Sequence, residues 1–181
     1  MIVLAQRIGA VVDRQELRDR QAPLKVRYRE DPSSALVTLK AEGTLGEGVT
    51  CKVDTGRALA EAGLHPASGG DGTSLCSGDM LLEALVACAG VTLRAVATSL
   101  GLDVRDGTVR AEGDLDFRGT LAVDKGTPVG LTAIRLAFDL DTDASPDELE
   151  TLIRLTERYC VVLQTLTTSP KVSVTSSAPG R

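Results

Sequence analysis

Four cysteines are the side chains of this 181-residue chain best suited to covalent chemistry. They are Cys51, Cys76, Cys88 and Cys160. A deprotonated cysteine is a strong nucleophile, and it can be oxidised to a sulfenic acid and then to a disulfide. No two of them have the Cys-x-x-Cys spacing that zinc sites favour, and His65 is the single histidine. The sequence therefore indicates thiol chemistry or plain packing, and it predicts no metal site.

The positions of the cysteines predict different surroundings. Cys51 alternates with valines, which predicts the inward face of a strand. Cys76 lies in a glycine-rich loop, where spacing alone gives it no partner. Cys88 and Cys160 lie on apolar faces of two predicted helices, far apart in the sequence. Periodicity alone favours core packing for both of them, because free cysteines are among the most buried residues.

Other polar residues give weaker signals. A pair formed by His65 with Cys88 or Cys76 would indicate a hydrolase or transferase, but no third orienting group is evident. We therefore expect His65 to be a loop histidine exposed to water. The run Gly69-Gly70-Asp71-Gly72 lacks the Gly-Lys-Ser/Thr ending of a phosphate-binding loop and indicates a flexible loop. Glu83 lies in apolar company, and we expect it to be paired, for example with an arginine of a partner subunit.

Composition excludes several classes of function. The formal net charge is −5, and the chain has only two tyrosines, two phenylalanines and no tryptophan. A nucleic-acid-binding protein would show a basic surface and aromatic stacking platforms. The first residues do not resemble a signal peptide, and no uninterrupted apolar run reaches about 18 residues. We expect a cytoplasmic protein that binds neither nucleic acid nor membrane.

Alternation of apolar and polar residues predicts the strands. This period of two is typical of strands with one buried face. Three strands precede the central helix, two follow it, and one closes the chain. Their predicted ranges are 24–29, 37–42, 49–54, 109–118, 134–140 and 171–175.

The central helix is predicted over 79–100, with Asp79 as its N-cap and Gly101 after its last residue. Between residues 80 and 93 only Glu83 is charged. Such a helix must be buried on most sides. Because one sheet covers only one side, something else has to cover the other.

A capping box at residues 145–148 begins the second helix. Before the central helix, residues 55–78 predict an irregular loop with one helical turn at 57–62. The fold class is thus α+β with largely antiparallel sheets, in the order β-β-β-α-β-β-α-β. One apolar stripe along the second helix contains Leu149, Leu152, Ile153, Thr156, Tyr159, Cys160 and Leu163.

Two segments resemble the motifs of a known family. Residues 79–94 are similar to the "ELLLAALAAC…MTLR" helix of the OsmC/Ohr family, the osmotically inducible and organic hydroperoxide resistance proteins. Residues 157–166 resemble that family's "AERxCPVxxTL" motif. The resemblance extends over about residues 35–176. It implies an N-terminal extension over 1–22, an OsmC-like domain over 23–176 and a C-terminal tail over 177–181.

The resemblance implies an intertwined homodimer in which long central helices are buried between sheets of both chains. It also implies a thiol-dependent reductase of organic or inorganic hydroperoxides that acts in oxidative stress defence. Cys88 would attack the peroxide, Cys160 would resolve the sulfenic acid as a disulfide, and an external dithiol would reduce that disulfide. No metal or organic cofactor is implied. The alternative is a non-peroxidatic OsmC-like small-ligand-binding or stress protein in which both cysteines are structural.

Activation of Cys88 needs a group that stabilises its thiolate. The residue lies too far along its helix for the macrodipole to act, and Asp79 and Glu83 disfavour a negative sulfur. Family peroxidases supply an arginine held by a glutamate, but residues 42–45 contain no arginine and Gly78 stands at the glutamate position. Val161 likewise replaces the family's proline. We therefore expect a cation from elsewhere, with Arg27, Arg29 and Arg57 as candidates.

Overall fold

A computed structural model describes residues 14–45, 51–53, 62–73 and 75–176. It confirms the α+β class with an antiparallel sheet. The helices are α1 (Arg14–Glu30), α2 (Ser77–Leu100), α3 (Phe117–Thr120), α4 (Pro146–Tyr159) and α5 (Val161–Thr167). The strands are β1 (Leu36–Leu45), β2 (Cys51–Val53), β3 (Ala62–Gly63), β4 (Leu75–Cys76), β5 (Val104–Asp116) and β6 (Leu131–Thr142), and 3₁₀ turns occupy Pro32–Ala35 and Pro66–Ser68.

The strands form two sheets. The larger has the order β2-β1-β5-β6, and its β1 and β2 are antiparallel, with Gly43 opposite Val53. The smaller is a parallel pair of β3 and β4. The strands predicted over 37–42 and 134–140 are confirmed as parts of β1 and β6. The strand predicted over 109–118 ends at Asp116, because that side chain accepts the Arg118 N–H and begins α3.

The chain divides into two compact units. Unit 1 contains the described residues of Met1–Lys40, Thr55–Leu82 and Glu112–Arg135. Unit 2 contains those of Ala41–Asp54, Glu83–Ala111 and Leu136–Arg181. In unit 1 the buried cluster is Tyr28, Ala35, Phe117 and Leu121. In unit 2 the buried apolar residues include Leu85, Val86, Ala89, Leu93, Val104, Val109 and Leu152.

The strand predicted over 24–29 is wrong, because these residues belong to α1. Leu24, Val26 and Tyr28 fit a strand, but Leu24 and Tyr28 are also one helical turn apart. The structure follows the helical pattern, with Tyr28 buried and Val26 49% exposed. The arginines, lysine, glutamines and leucines around them favour a helix. The helix runs across residue 22, where the N-terminal extension was predicted to end.

The central helix α2 begins at Ser77, two residues before the predicted start. Asp79 therefore lies in its first turn and is not the N-cap. Its predicted end is confirmed, since Gly101 has φ +70°. There the Leu102 N–H donates to Ala97 O at 2.9 Å and the Gly101 N–H to Thr98 O at 3.2 Å, which is a Schellman motif.

The surface of α2 is only partly covered within one chain. By length and composition it is the one helix of the described residues that would suffice to cross a membrane. Counting uninterrupted apolar residues missed this because Glu83 interrupts the run. A central helix of a packed protein meets the same criterion. In its most apolar 18-residue window, 39% is buried, and Leu81, Val91 and Leu100 are exposed.

The described residues between 62 and 76, before α2, contain more regular structure than predicted. They include β3, the 3₁₀ turn Pro66–Ser68 and β4. Of the helical turn predicted over 57–62, residues 57–61 lie outside the described residues and Ala62 belongs to β3. Residues 49, 50 and 54 of the strand predicted over 49–54 are also outside them, while 51–53 form β2.

The C-terminal region confirms one prediction and corrects two. Ser145 and Glu148 form the predicted capping box. The helix they begin is broken at Cys160 instead of continuing through residue 163, and Tyr159 is 57% exposed instead of lying on the buried stripe. The strand predicted over 171–175 is wrong for this chain. Residues 171–176 form no regular structure and are exposed, since no described strand supplies their backbone with a partner.

Candidate functional site

The structure brings the two predicted site cysteines together within unit 2. Cys88 is half-buried in the middle of α2, and Cys160 is buried at the junction of α4 and α5. The side chains of the two residues are joined by a hydrogen bond. Both thiols are free. Two sulfurs that are distant in sequence therefore form a direct pair.

The break between α4 and α5 determines what surrounds the sulfurs. Cys160 has an extended backbone (φ −70°, ψ 105°) that ends one helix and begins the next. Its N–H donates to Thr156 O at 2.9 Å, and its carbonyl accepts from the Gln164 N–H at 2.9 Å. The Gln164 side chain bridges the break by donating from Nε2 to Glu157 O at 2.9 Å. The first N–H groups of α5 have no partner inside the helix and are free to reach the sulfurs.

Hydrogen bonds control the protonation of Cys88. Burial by itself raises the pKa of this thiol, because it disfavours a charged sulfur. The Val162 N–H, the Cys160 thiol, the Thr92 hydroxyl and the Val161 N–H all donate to it. Together these donors outweigh burial, and the pKa of Cys88 lies below its ordinary value. The sulfur of Cys88 is therefore the one prepared to carry negative charge.

The surroundings of Cys160 act in the opposite direction. Its pKa is raised to about 11, by burial first and then by the hydrogen bond and negative charge of Cys88. The N–H groups of Leu163 and Val162 oppose this only in part. Cys160 thus keeps its proton, and its S–H group donates a hydrogen bond to the Cys88 sulfur. Such a separation of pKa values gives the two members of a pair different chemical roles.

In the part of the chain that the structure describes, the groups that lower the pKa of Cys88 are hydrogen-bond donors and include no guanidinium. Among the described residues, Arg27 lies over the Tyr28 ring, 5.0 Å from its centroid, in unit 1, and Arg29 is exposed near the end of α1. Arg57 is outside the described residues. Thr92 was missed from the sequence, although it lies one helical turn after Cys88 on the same face. No local pattern in the sequence predicts that the backbone N–H groups of α5 donate to Cys88.

The remaining candidate residues belong elsewhere. His65 is half-buried, not the water-exposed loop residue we expected, and it caps the 3₁₀ turn Pro66–Ser68. Cys76 is half-buried in unit 1, and the side chain of Cys51 is outside the described part of the structure. Glu83 is half-buried and has a partner, as expected, but whether that partner belongs to a second chain stays a prediction. Within the described ranges no three His, Cys, Asp or Glu side chains group as a metal site.

A family model described as "OsmC-like protein" matches residues 70–175, which is more than half of the chain. The chain belongs to the OsmC-like family. The resemblance that we saw in the two cysteine-containing motifs is thereby confirmed. The matched range includes both Cys88 and Cys160, so the thiol pair lies within the family's region of the protein.

Two solved structures have a similar fold. An OsmC-like hydroperoxide resistance protein from Jannaschia sp. CCS1 is 17% identical, with a TM-score of 0.55 over 76% of this chain and 91% of the other. An OsmC-like protein from Mycoplasma pneumoniae is 16% identical, with a TM-score of 0.52 over 74% and 86% of the two chains. At such identities the likeness is one of fold alone. No curated protein matches the sequence significantly.

Proposed function

We propose that this OsmC-like protein is a thiol-dependent hydroperoxide reductase in which Cys88 is the nucleophile and Cys160 the resolving thiol. The contact between the Cys88 and Cys160 side chains is the observation that carries the proposal, and the opposite directions of their pKa shifts support it. The substrate class is suggested by the Jannaschia protein, which is described as a hydroperoxide resistance protein. A role in oxidative stress defence and a cytoplasmic location, where thiols stay reduced, belong to the same proposal.

In the first step the Cys88 thiolate attacks the terminal peroxide oxygen and the O–O bond breaks. The sulfur loses two electrons and becomes a sulfenic acid, while the alkoxide leaves and takes a proton from water to form the alcohol. The donors that stabilise the thiolate, the N–H groups of Val161 and Val162 and the Thr92 hydroxyl, hold the sulfur in its reactive form.

In the second step the Cys160 thiol condenses with the sulfenic acid. The S–S bond forms, the S–O bond breaks, and the hydroxyl group leaves as water with the thiol proton. Because the two side chains are already in contact, little chain movement is needed. Fast condensation protects Cys88 from further oxidation. An external dithiol then supplies two electrons and returns both cysteines to thiols.

The proposal includes the homodimer that the family resemblance implies. Exposed Val91 and Leu100 on α2 leave apolar surface that monomeric proteins normally cover. The exposed alternating residues Val172 and Val174 are available to pair with a second chain. Light scattering after size-exclusion chromatography should give twice the mass of one chain. A monomer at micromolar concentration would contradict this part of the proposal.

Single-turnover oxidation tests the enzymatic part. Reduced protein is mixed with one equivalent of cumene hydroperoxide or hydrogen peroxide, and digests are mapped by mass spectrometry. We expect one disulfide between Cys88 and Cys160. Cys88→Ser should form none, Cys160→Ser should accumulate a sulfenic acid trapped by dimedone, and the matched control Cys76→Ser should behave as wild type. If wild type and Cys88→Ser consume peroxide equally slowly, the non-peroxidatic alternative is correct.

A further inference from the structure

Unit 1 contains a cavity of about 380 Å³. Ligand pockets occupy about 300–1,000 Å³, so this cavity suits a small molecule. Residues from the β3–β4 region, the start of α2 and the β5–β6 connection line it. Its lining is mainly apolar, with Leu64, Leu81, Leu115, Phe117, Val129 and Leu131 as the large side chains.

His65 is the polar side chain best placed to recognise a ligand in this cavity. Its Nδ1 accepts the Ala67 N–H at 3.0 Å, so the neutral ring carries its proton on Nε2. The ring stacks on Phe117 with centroids 5.0 Å apart, which limits its orientation. The nearby Ser68 hydroxyl is already used, since it donates to the His65 carbonyl at 2.9 Å. The Nε2–H is therefore left as the donor of the ring.

The charges around the cavity favour a neutral ligand. No charged side chain is among the described residues that line it. Burial raises the pKa of the nearby half-buried Asp79 carboxyl, and His65 opposes this only in part. A ligand anion would find no lysine or arginine among the described lining residues to offset the loss of its hydration. A neutral oxygen that accepts one hydrogen bond does not have this disadvantage.

The wall that carries His65 is held in place by α1. The Tyr28 hydroxyl donates to Ala67 O at 2.7 Å, and Gln21 Nε2 donates to Ser68 O at 3.1 Å. Gly69 has φ +97°, and a Cβ there would lie 3.1 Å from Gln21 Cγ, so the close approach of helix and turn requires glycine. A wall fixed before binding costs less to order. The family match begins at residue 70, so this arrangement lies outside it.

We propose that this cavity binds a neutral small molecule with an aryl or branched aliphatic body and one acceptor oxygen, a carbonyl or hydroxyl, that bonds His65 Nε2–H. The inference goes beyond the proposed reductase and does not depend on it. Cys88 and Cys160 belong to unit 2, whereas the cavity is lined by unit 1 residues.

Acetophenone and ethylbenzene are matched probes, since they share an aryl body of similar size and only acetophenone has an acceptor. The single histidine of the sequence gives one set of ring signals in a ¹H–¹³C NMR titration. We expect acetophenone to shift them saturably and to bind about tenfold more tightly than ethylbenzene, the effect of one hydrogen bond. Benzoate should bind more weakly than acetophenone. Both neutral probes should slow the alkylation of Cys76, which lines the cavity.

Variants separate this site from the thiol pair. His65→Phe keeps an aromatic ring on Phe117 but removes the donor, so acetophenone should fall to the affinity of ethylbenzene when Cys76 protection is the readout. If that variant fails to fold, Val129→Trp narrows the cavity from an exposed rim residue and should weaken both probes. Cys88→Ser should bind as wild type even if it abolishes peroxide reduction. The proposal would be overturned if the titration with acetophenone does not saturate. It would also be overturned if acetophenone and ethylbenzene bind with equal affinity, or if benzoate binds more tightly than acetophenone.

Discussion

Replacing Cys160 by alanine or by serine separates its two roles at the site. Both changes remove the resolving sulfur, but only alanine removes the donor to Cys88. A hydrogen bond to a charged group contributes about 1.5–3 kcal/mol, and a thiol is a weak donor, so we take about 1.5 kcal/mol. Because about 1.4 kcal/mol corresponds to a factor of ten, Cys160→Ala should lower the thiolate fraction of Cys88 about tenfold at low pH.

The assay is the pH dependence of Cys88 alkylation by iodoacetamide, read peptide by peptide so that Cys76 serves as an internal control. Thiolate increases with pH, so a lower pKa moves the midpoint of the rate profile to lower pH. In Cys160→Ala the midpoint should move to higher pH. Since a more basic thiolate is also a better nucleophile, the tenfold loss of thiolate should appear as about a fourfold loss of rate. In Cys160→Ser the hydroxyl should keep the midpoint at or below that of wild type.

Two results would refute this reasoning. If both variants keep the wild-type midpoint, the Cys160 thiol does not stabilise the Cys88 thiolate. If Cys160→Ser moves the midpoint as far as Cys160→Ala does, the shift comes from the loss of the sulfur and not from the loss of a hydrogen-bond donor. A change at Cys76 in either variant would show that the substitution has altered the protein more widely.

Four further predictions follow from single contacts. Thr92→Val should move the Cys88 midpoint to higher pH in the same assay, whereas Thr92→Ser should leave it unchanged. Val161→Pro should keep α5, since proline suits the first helical position, but should move the midpoint upward by removing one N–H donor. Tyr28→Phe should lower the free energy of unfolding by about 1 kcal/mol, measured in urea, because its hydroxyl bonds Ala67 O. Ser145→Ala should also cost about 1 kcal/mol, and Ser145→Asp should keep most of the cap.

Local chemistry made part of the fold predictable. The capping box at Ser145 and the glycine after α2 depend on side chains and backbone angles within a few residues, so the sequence contains the whole signal. The strand predicted over 24–29 failed because Leu24 and Tyr28 fit both periods. Only the burial of Tyr28 against a distant turn distinguishes them. The strand predicted over 171–175 failed because a strand needs a partner that the pattern cannot supply.

In the site, too, the features that depend on distant contacts could not be predicted from local sequence. The pairing of Cys88 with Cys160 came from family resemblance, since periodicity alone placed both in the core. Their protonation depends on the N–H groups of α5, and these are available only because the second helix breaks at Cys160. A continuous apolar stripe through Leu163 concealed that break in the sequence.

The break between α4 and α5 explains how backbone groups of this site can stabilise a thiolate. In an unbroken helix the N–H groups of residues 161–163 would bond to carbonyls four residues earlier, and none would be left for a sulfur. Burial would then raise the pKa of both cysteines, and two buried thiols would be inert. With the break, Val161 and Val162 donate to Cys88, and the proton remains on Cys160. One interruption of a helix thus changes two core-like cysteines into an asymmetric pair.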